Sequence, residues 1–165
     1  QAHDDRYVLT LVDSVLGGNM SSRLFQEIRE KRGLAYSIGS YTLSYRDGGM
    51  FSVYGGTSPE TFDQVVDLSR KEIDKVVKEG LSEDEVTKAK NQVRGALVLG
   101  LENMSSRMMR MGKSTLYFGK VVPLNEIVSK VEAVSHDDIA RVSNNVLNAD
   151  NLTLTAIGSF KREAA

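Results

Sequence analysis

Residues 17–38 read GGNMSSRLFQEIREKRGLAYSI, and the fold turns on how this stretch changes character. Over 21–32 the spacing predicts a helix: Leu24, Phe25 and Ile28 make one apolar face, Asn19 or Ser21 supplies the cap, and Gly33 terminates it. From Ala35 onward the chain turns β-branched and aromatic, so a strand begins only two residues past the glycine. On a helical wheel with Phe25 at zero, Leu24 lies at about −100°, Ile28 at about −60° and Arg29 at about +40°. Arg29 therefore borders the buried face, where its stem can pack and its guanidinium can be aimed. Arg32 falls near about −20°, in the last turn, where a cation suits the helix dipole. Tyr36 opens the strand. A helix-end arginine and a strand-start tyrosine joined by one tight turn can point at a common spot. Two fixed donors there could hold a peptide carbonyl or a developing oxyanion. The same residues allow a plainer reading, in which Arg29 snorkels, Arg32 satisfies the helix end and Tyr36 is core.

Upstream, residues 4–16 read as a helix, with Tyr7, Leu11, Val12 and Val15 at helical spacing and Gly17-Gly18 as the stop. Downstream, 35–45 and 49–56 read as two antiparallel strands around an Arg46-Asp47-Gly48-Gly49 turn. Thr57-Ser58-Pro59-Glu60 predicts a capping box opening a long helix to Gly80. Ser82 to Glu85 predicts another box and a helix over 83–100, with a kinked continuation to about 118. A short helix fits 124–131. Ser135 to Asp138 caps one more, to about 147, and 151–158 (NLTLTAIG) predicts a final strand. Strands and helices do not alternate as in a doubly wound sheet, so the class is α+β: an antiparallel or mixed sheet packed by several helices. Three strands are few for this length. We therefore read 1–165 as a single domain cut from a longer chain and lacking its first strand.

Composition narrows the chemistry. With 165 residues, 41% hydrophobic and 26% charged, the chain suits one globular domain or half of a larger unit. A net charge of −1 argues against a nucleic-acid binder. Zero cysteines exclude a disulfide scaffold, a thiolate zinc site and a cysteine nucleophile, and fit a reducing, cytoplasmic setting. The two histidines, His3 and His136, lie too far apart in sequence for a local metal motif. The longest aliphatic run, 96–99, is far short of the ~20 residues of a membrane span. No phosphate-binding glycine motif and no GxSxG elbow occurs. Gly17-Gly18 and Gly55-Gly56 read as turns, Ser21 and Ser22 as capping residues, and His136 as a surface residue. Met104, Met108, Met109 and Met111 read as core or interface filler.

The segment from Gly17 to Ser37 also resembles the second-half signature of the M16 zinc metallopeptidases, the group of insulinase, pitrilysin and the mitochondrial processing peptidase. The matching residues are Gly17, Gly18, Ser21, Ser22, Arg23, Leu24, Phe25, Ile28, Arg29, Glu30, Lys31, Gly33, Leu34, Ala35, Tyr36 and Ser37. Further similarity follows at Gly80-Leu81, Glu83 to Lys90, Asn91 to Glu102, Tyr117-Phe118-Gly119 and Asn151 to Gly158. The chain looks closest to the small bacterial, processing-peptidase-like branch. The resemblance implies a LuxS/MPP-like metallohydrolase fold, in which two halves enclose a chamber. It implies that zinc is bound by the other, N-terminal half through an inverted His-x-x-Glu-His motif and a distant glutamate, with no metal or cofactor site in this chain. In the metal-free half an Arg and a Tyr seven residues apart reach toward the substrate backbone, which gives Arg29 and Tyr36 here and demotes Arg32.

The implied function is the substrate-clamping half of a zinc endopeptidase acting on an unfolded or short peptide. Its partner is the zinc-binding half, on the same chain or on another subunit. A catalytically silent structural or regulatory subunit of an M16-like assembly is the competing reading, and a free-standing binding module is a third. An unfilled sheet edge would also allow a homodimer.

Overall fold

A computed structural model describes residues 3–148 and 152–159. The first helix, α1 (Asp5–Leu16), forms because apolar residues recur on one side of it. Tyr7, Val8, Leu11, Val12, Val15 and Leu16 are all buried. It is the central helix and packs on the hairpin and on several later helices. Its start is held by charge. Asp4 accepts from Lys130 Nζ at 2.7 Å and Asp5 from Arg141 Nη2 at 2.8 Å, and Lys130 holds the Asp4 carboxyl below its ordinary range.

The chain then reverses at Gly17-Gly18, whose two amides both donate to Asp13 O, at 3.0 and 2.7 Å. This glycine pair is more than a helix stop. Gly17 O accepts from Ser40 N at 3.1 Å, and a Cβ on Gly17 would stand only 2.4 Å from that nitrogen. Backbone thus lies directly on backbone where α1 meets the hairpin.

The hairpin forms as the alternation predicted: β1 (Ala35–Ser44) and β2 (Gly49–Thr57) pair antiparallel, with Ser44 opposite Gly49 and Ile38 opposite Gly55. Tyr45 N donates to Gly48 O across the turn. Ile38 and Ser40 face the core while Tyr41 and Leu43 are exposed, the period-2 pattern of a sheet with one covered face. Buried Ser40 donates to Asp13 Oδ1 at 2.5 Å. Burial pushes the Asp13 carboxyl above its ordinary value, an effect the Ser40 bond opposes.

Five further α-helices follow among the described residues: α2 (Phe62–Glu79), α3 (Glu83–Leu99), α4 (Met104–Phe118), α5 (Leu124–Glu132) and α6 (His136–Val146). Val65, Ile73 and Val76 of α2, Val86 and Ala89 of α3, and Ile139 and Val142 of α6 join α1 in one cluster. The predicted capping box at Ser82/Glu85 is present, and the cap predicted over 135–138 forms as a box of Ser135 and Asp138. With helices on a small antiparallel sheet, the class is α+β.

Four expectations are corrected. The capping box at 57–60 does not form. Thr57 Oγ1 instead donates to Leu34 O at 2.5 Å, a tie to the chain before β1, and α2 starts later, after Thr61. The kinked continuation of α3 is a break: Gly100 N bonds Ala96 O, and Asn103 caps a new helix by accepting from Ser106 N. The methionines at 104, 108, 109 and 111 are 73%, 65%, 54% and 47% exposed, which corrects the core half of their reading and leaves interface filler as its other half. The final strand is absent over 152–158, where every residue is exposed; Asn151 lies outside the described residues. An alternating sequence becomes a strand only where a neighbouring strand supplies hydrogen bonds and a face to cover, and among the described residues the sheet has two strands.

Candidate functional site

The helix predicted at 21–32 is a π-helix over Phe25–Glu30, where Lys31 N donates to Gln26 O five residues back. In a π-helix each residue advances by less than the 100° of an α-helix, so the wheel angles do not hold. Leu24 and Ile28 are still fully buried, which anchors the segment. Gly33, at φ 62°, lets the chain leave it: Gly33 N donates to Arg29 O and Leu34 N to Ile28 O, both at 3.0 Å.

That turn delivers Tyr36 to a β-bulge. Ala35 pairs with Thr57 and Ser37 with Gly56, so Tyr36 is the extra residue facing no partner. The bulge turns its ring outward, to 88% exposure. This excludes the reading of Tyr36 as core. Arg29, also exposed, places its guanidinium carbon 4.8 Å from the centre of the Phe25 ring and 5.9 Å from that of Tyr36. The structure therefore brings Arg29 and Tyr36 together, with Phe25 as a platform that the sequence reading assigned only to the apolar face. The i, i+4 spacing of Phe25 and Arg29 was the available signal.

The neighbouring cations show what sets Arg29 apart. Arg23 makes a two-pronged pair with Glu85, both bonds 2.7 Å, and also donates to Gly80 O. Lys31 pairs with Glu27, and Arg32 donates to Glu27 O and Oε2 at 2.6 Å each. Lys31 and Arg32 together hold the Glu27 carboxyl at about 2. Arg32 is thus committed to the helix end. Among the described residues, Arg29 forms no hydrogen bond or ion pair, nor does the Tyr36 hydroxyl. A cation and a phenol held side by side with unused donors can bind a carbonyl oxygen or a carboxylate.

Ser22 is buried and donates to Asn19 O at 2.5 Å, while Asn19 Oδ1 accepts from Ser21 N, so both serines belong to the turn into the helix. The Arg23–Glu85 pair, which sequence reasoning did not single out, braces the segment against the start of α3. Arg23 and the Ser82 amide hold the Glu85 carboxyl at about 2. A carboxylate depressed in the folded state stabilises above its ordinary range and stops doing so as pH falls through the folded value. Glu85→Gln is expected to cost about 1–2 kcal/mol at pH 7 and to flatten the fall in stability between about pH 5 and pH 2, read by urea unfolding across that range. An unchanged slope would remove Glu85 from the acid response.

No group of three or more His, Asp or Glu side chains among the described residues is placed to hold a metal. His3 pairs with Asp5 at 3.3 Å and His136 with Glu83 at 3.1 Å, at separate places on the surface. These residues do not fit a zinc site.

The chain matches the family described as "Peptidase M16 inactive domain" over residues 1–93. It belongs to that family. This M16 inactive domain is 41% identical over 160 residues to an uncharacterized zinc protease of Streptomyces coelicolor, an alignment covering 97% of the chain and 35% of that protein. It is 38% identical over 148 residues to one of Bacillus subtilis, covering 90% of the chain and 36% of that protein. The chain therefore spans about a third of the length of these relatives. Its fold is similar to the peptidase M16 inactive domain structure from Pseudomonas fluorescens, with a TM-score of 0.79 at 23% identity over 88% of this chain and 35% of that one. A chain of Complex III2 from Candida albicans has the same fold, at a TM-score of 0.76 and 23% identity over 87% of this chain and 36% of that one.

Proposed function

We propose that this M16 inactive domain is the substrate-clamping half of a zinc-dependent endopeptidase, with Arg29 and Tyr36 as the clamp. The observation that carries the reading is the pairing of an uncommitted guanidinium with an outward tyrosine on a bulge, in a segment whose other cations are spent on structure. The zinc belongs to an N-terminal half outside this chain, in cis or on a partner subunit, as the zinc-protease names of the relatives suggest. What this chain contributes is binding and orientation. Arg29 and the Tyr36 hydroxyl donate to a peptide carbonyl of the substrate, hold it in place and offset the negative charge that grows on it. Contact with the Phe25 ring restrains the guanidinium, which lowers the entropy lost on binding.

Chemistry split between halves has a direct test. The chain alone is expected to show no zinc-dependent hydrolysis of an unfolded peptide. Joined to a half encoded beside it that carries His-x-x-Glu-His, it is expected to hydrolyse the peptide at a rate neither half reaches alone. Zinc-dependent cleavage by the chain alone would overturn the assignment. So would a full-length protein and neighbouring genes lacking that motif, which would favour the silent structural subunit.

A further inference from the structure

A second feature continues from the clamp along the hairpin. Neither β1 nor β2 contains a charged residue, in a chain that is 26% charged. An antiparallel sheet with one face on the core ordinarily turns a polar face to water. Here the outer face carries Tyr41 and Leu43 of β1 and Met50 and Tyr54 of β2, all exposed. Leu43 pairs with Met50, and the Tyr41 and Tyr54 rings lie 5.9 Å apart between centroids, tilted by 44°. The four side chains make one apolar patch, half of it aromatic.

The clamp shares this face. Ala35 and Ile38, on either side of the bulge, are buried, so Tyr36 and Ser37 turn outward together. Beyond Tyr36 come Ser37 and Gly56, opposite one another; a Cβ on Gly56 would meet only Ser37 Oγ, at 3.0 Å. Glycine at such a place lets another backbone approach closely. Next stands Tyr54, whose ring lies against Gly39 opposite it: a Cβ on Gly39 would be 2.8 Å from Tyr54 Oη. Tyr41 follows. At about 3.4 Å per residue, Gly39 and Tyr41 lie about 10 and 17 Å along β1 from Tyr36.

We propose that this patch is a second contact for the peptide substrate, taking an aromatic or large aliphatic side chain about three to five residues from the carbonyl held by Arg29 and Tyr36. What points to the substrate as occupant is continuity: patch and Tyr36 share one strand and one face, with only small side chains between them on β1. An apolar side chain gains by leaving water against Tyr41 and Tyr54, whereas a charged one would lose hydration to a surface that offers it no partner. The inference rests on the clamp reading and adds to it a substrate class, peptides with a bulky apolar residue remote from the scissile bond.

Two dodecapeptides of Gly and Ser, one with a single central Phe, test it by titration of the complete protein, with zinc removed by a chelator so that neither is cut. The Phe peptide is expected to bind about tenfold tighter. Tyr41→Ser and Tyr54→Ser are each expected to cut that preference to about threefold or less, and either decides the matter if the other fails to fold. Arg29→Ala is expected to weaken both peptides alike and keep the preference, which separates failure of the clamp from failure of the patch. With zinc restored, the principal cut is expected about three to five residues from the Phe. A preference within about twofold in the parent, a preference unchanged in the folded tyrosine variants, or a principal cut beside the Phe would each overturn the proposal and leave the clamp standing. A dimer in analytical ultracentrifugation that Tyr41→Ser dissolves would overturn it too, by giving the face to a second copy.

Discussion

Replacing Arg29 by alanine in the complete, zinc-bearing protein is expected to lower kcat for peptide hydrolysis by about a hundredfold, the usual loss when one fixed donor to a developing oxyanion is removed. Tyr36→Phe removes a single hydroxyl and should lower kcat by about tenfold or more. Neither change should disturb folding. Arg29 gives up its contacts with the Phe25 and Tyr36 rings, each about 0.5–1 kcal/mol at an exposed site, and the Tyr36 hydroxyl has no partner among the described residues to lose. Arg29→Lys separates charge from geometry: an ammonium keeps the charge but lacks the planar fork and stacks less well, so recovery should be partial. The measurement is steady-state hydrolysis of an unfolded peptide, with thermal unfolding as the control. A fall in kcat of less than threefold in both Arg29→Ala and Tyr36→Phe, with folding intact, would leave the pair without a catalytic role.

The second large effect concerns stability. Gly17→Ala should destabilise the chain by about 3 kcal/mol or more. The added Cβ would lie 2.4 Å from Ser40 N, 2.6 Å from Ser40 Oγ and 2.8 Å from the Gly39 carbonyl carbon. Two of these three are backbone atoms of β1 and cannot swing aside. This cost is one of space, since φ at Gly17 is negative, at −155°. The shift should separate α1 from the hairpin and weaken the Gly17 O to Ser40 N and Ser40 to Asp13 bonds with it. Gly95→Ala is the control. It lies within α3, where an added Cβ meets nothing within 4 Å, so alanine should stabilise by up to about 1 kcal/mol through helix propensity. Urea unfolding followed by circular dichroism reads both. A loss below about 1 kcal/mol for Gly17→Ala would mean that the strand gives way and the contact is not tight.

The two positions illustrate what could be read in advance. A helix end, one glycine and a strand start are local signals, and they made Arg29, Arg32 and Tyr36 legible as neighbours of one turn; the choice of Arg29 over Arg32 came from the resemblance to the M16 signature. Their surroundings were not. The sequence reading used an α-helical wheel, whereas the segment is a π-helix, and the bulge that turns Tyr36 outward depends on how β2 pairs across from it. Gly17-Gly18 was legible as a helix stop, but the approach of Ser40 joins residues more than twenty positions apart. The same limit explains 151–158, where alternation alone promised a strand.

By itself, then, the sequence determined the local elements, through periodicity, capping boxes at Ser82 and Ser135, and the glycine stops at 33 and 80. It also brought Arg29, Arg32 and Tyr36 to a common turn, since short-range sterics and hydrogen bonding act between near neighbours. Only the tertiary structure decided which cations are spent and which are available. Arg23 is taken by Glu85, sixty-two positions away, and Lys130 by Asp4, 126 positions away. Whether a charge is free for a ligand depends on every carboxylate the fold brings within a few ångströms, and that is a property of the packed chain.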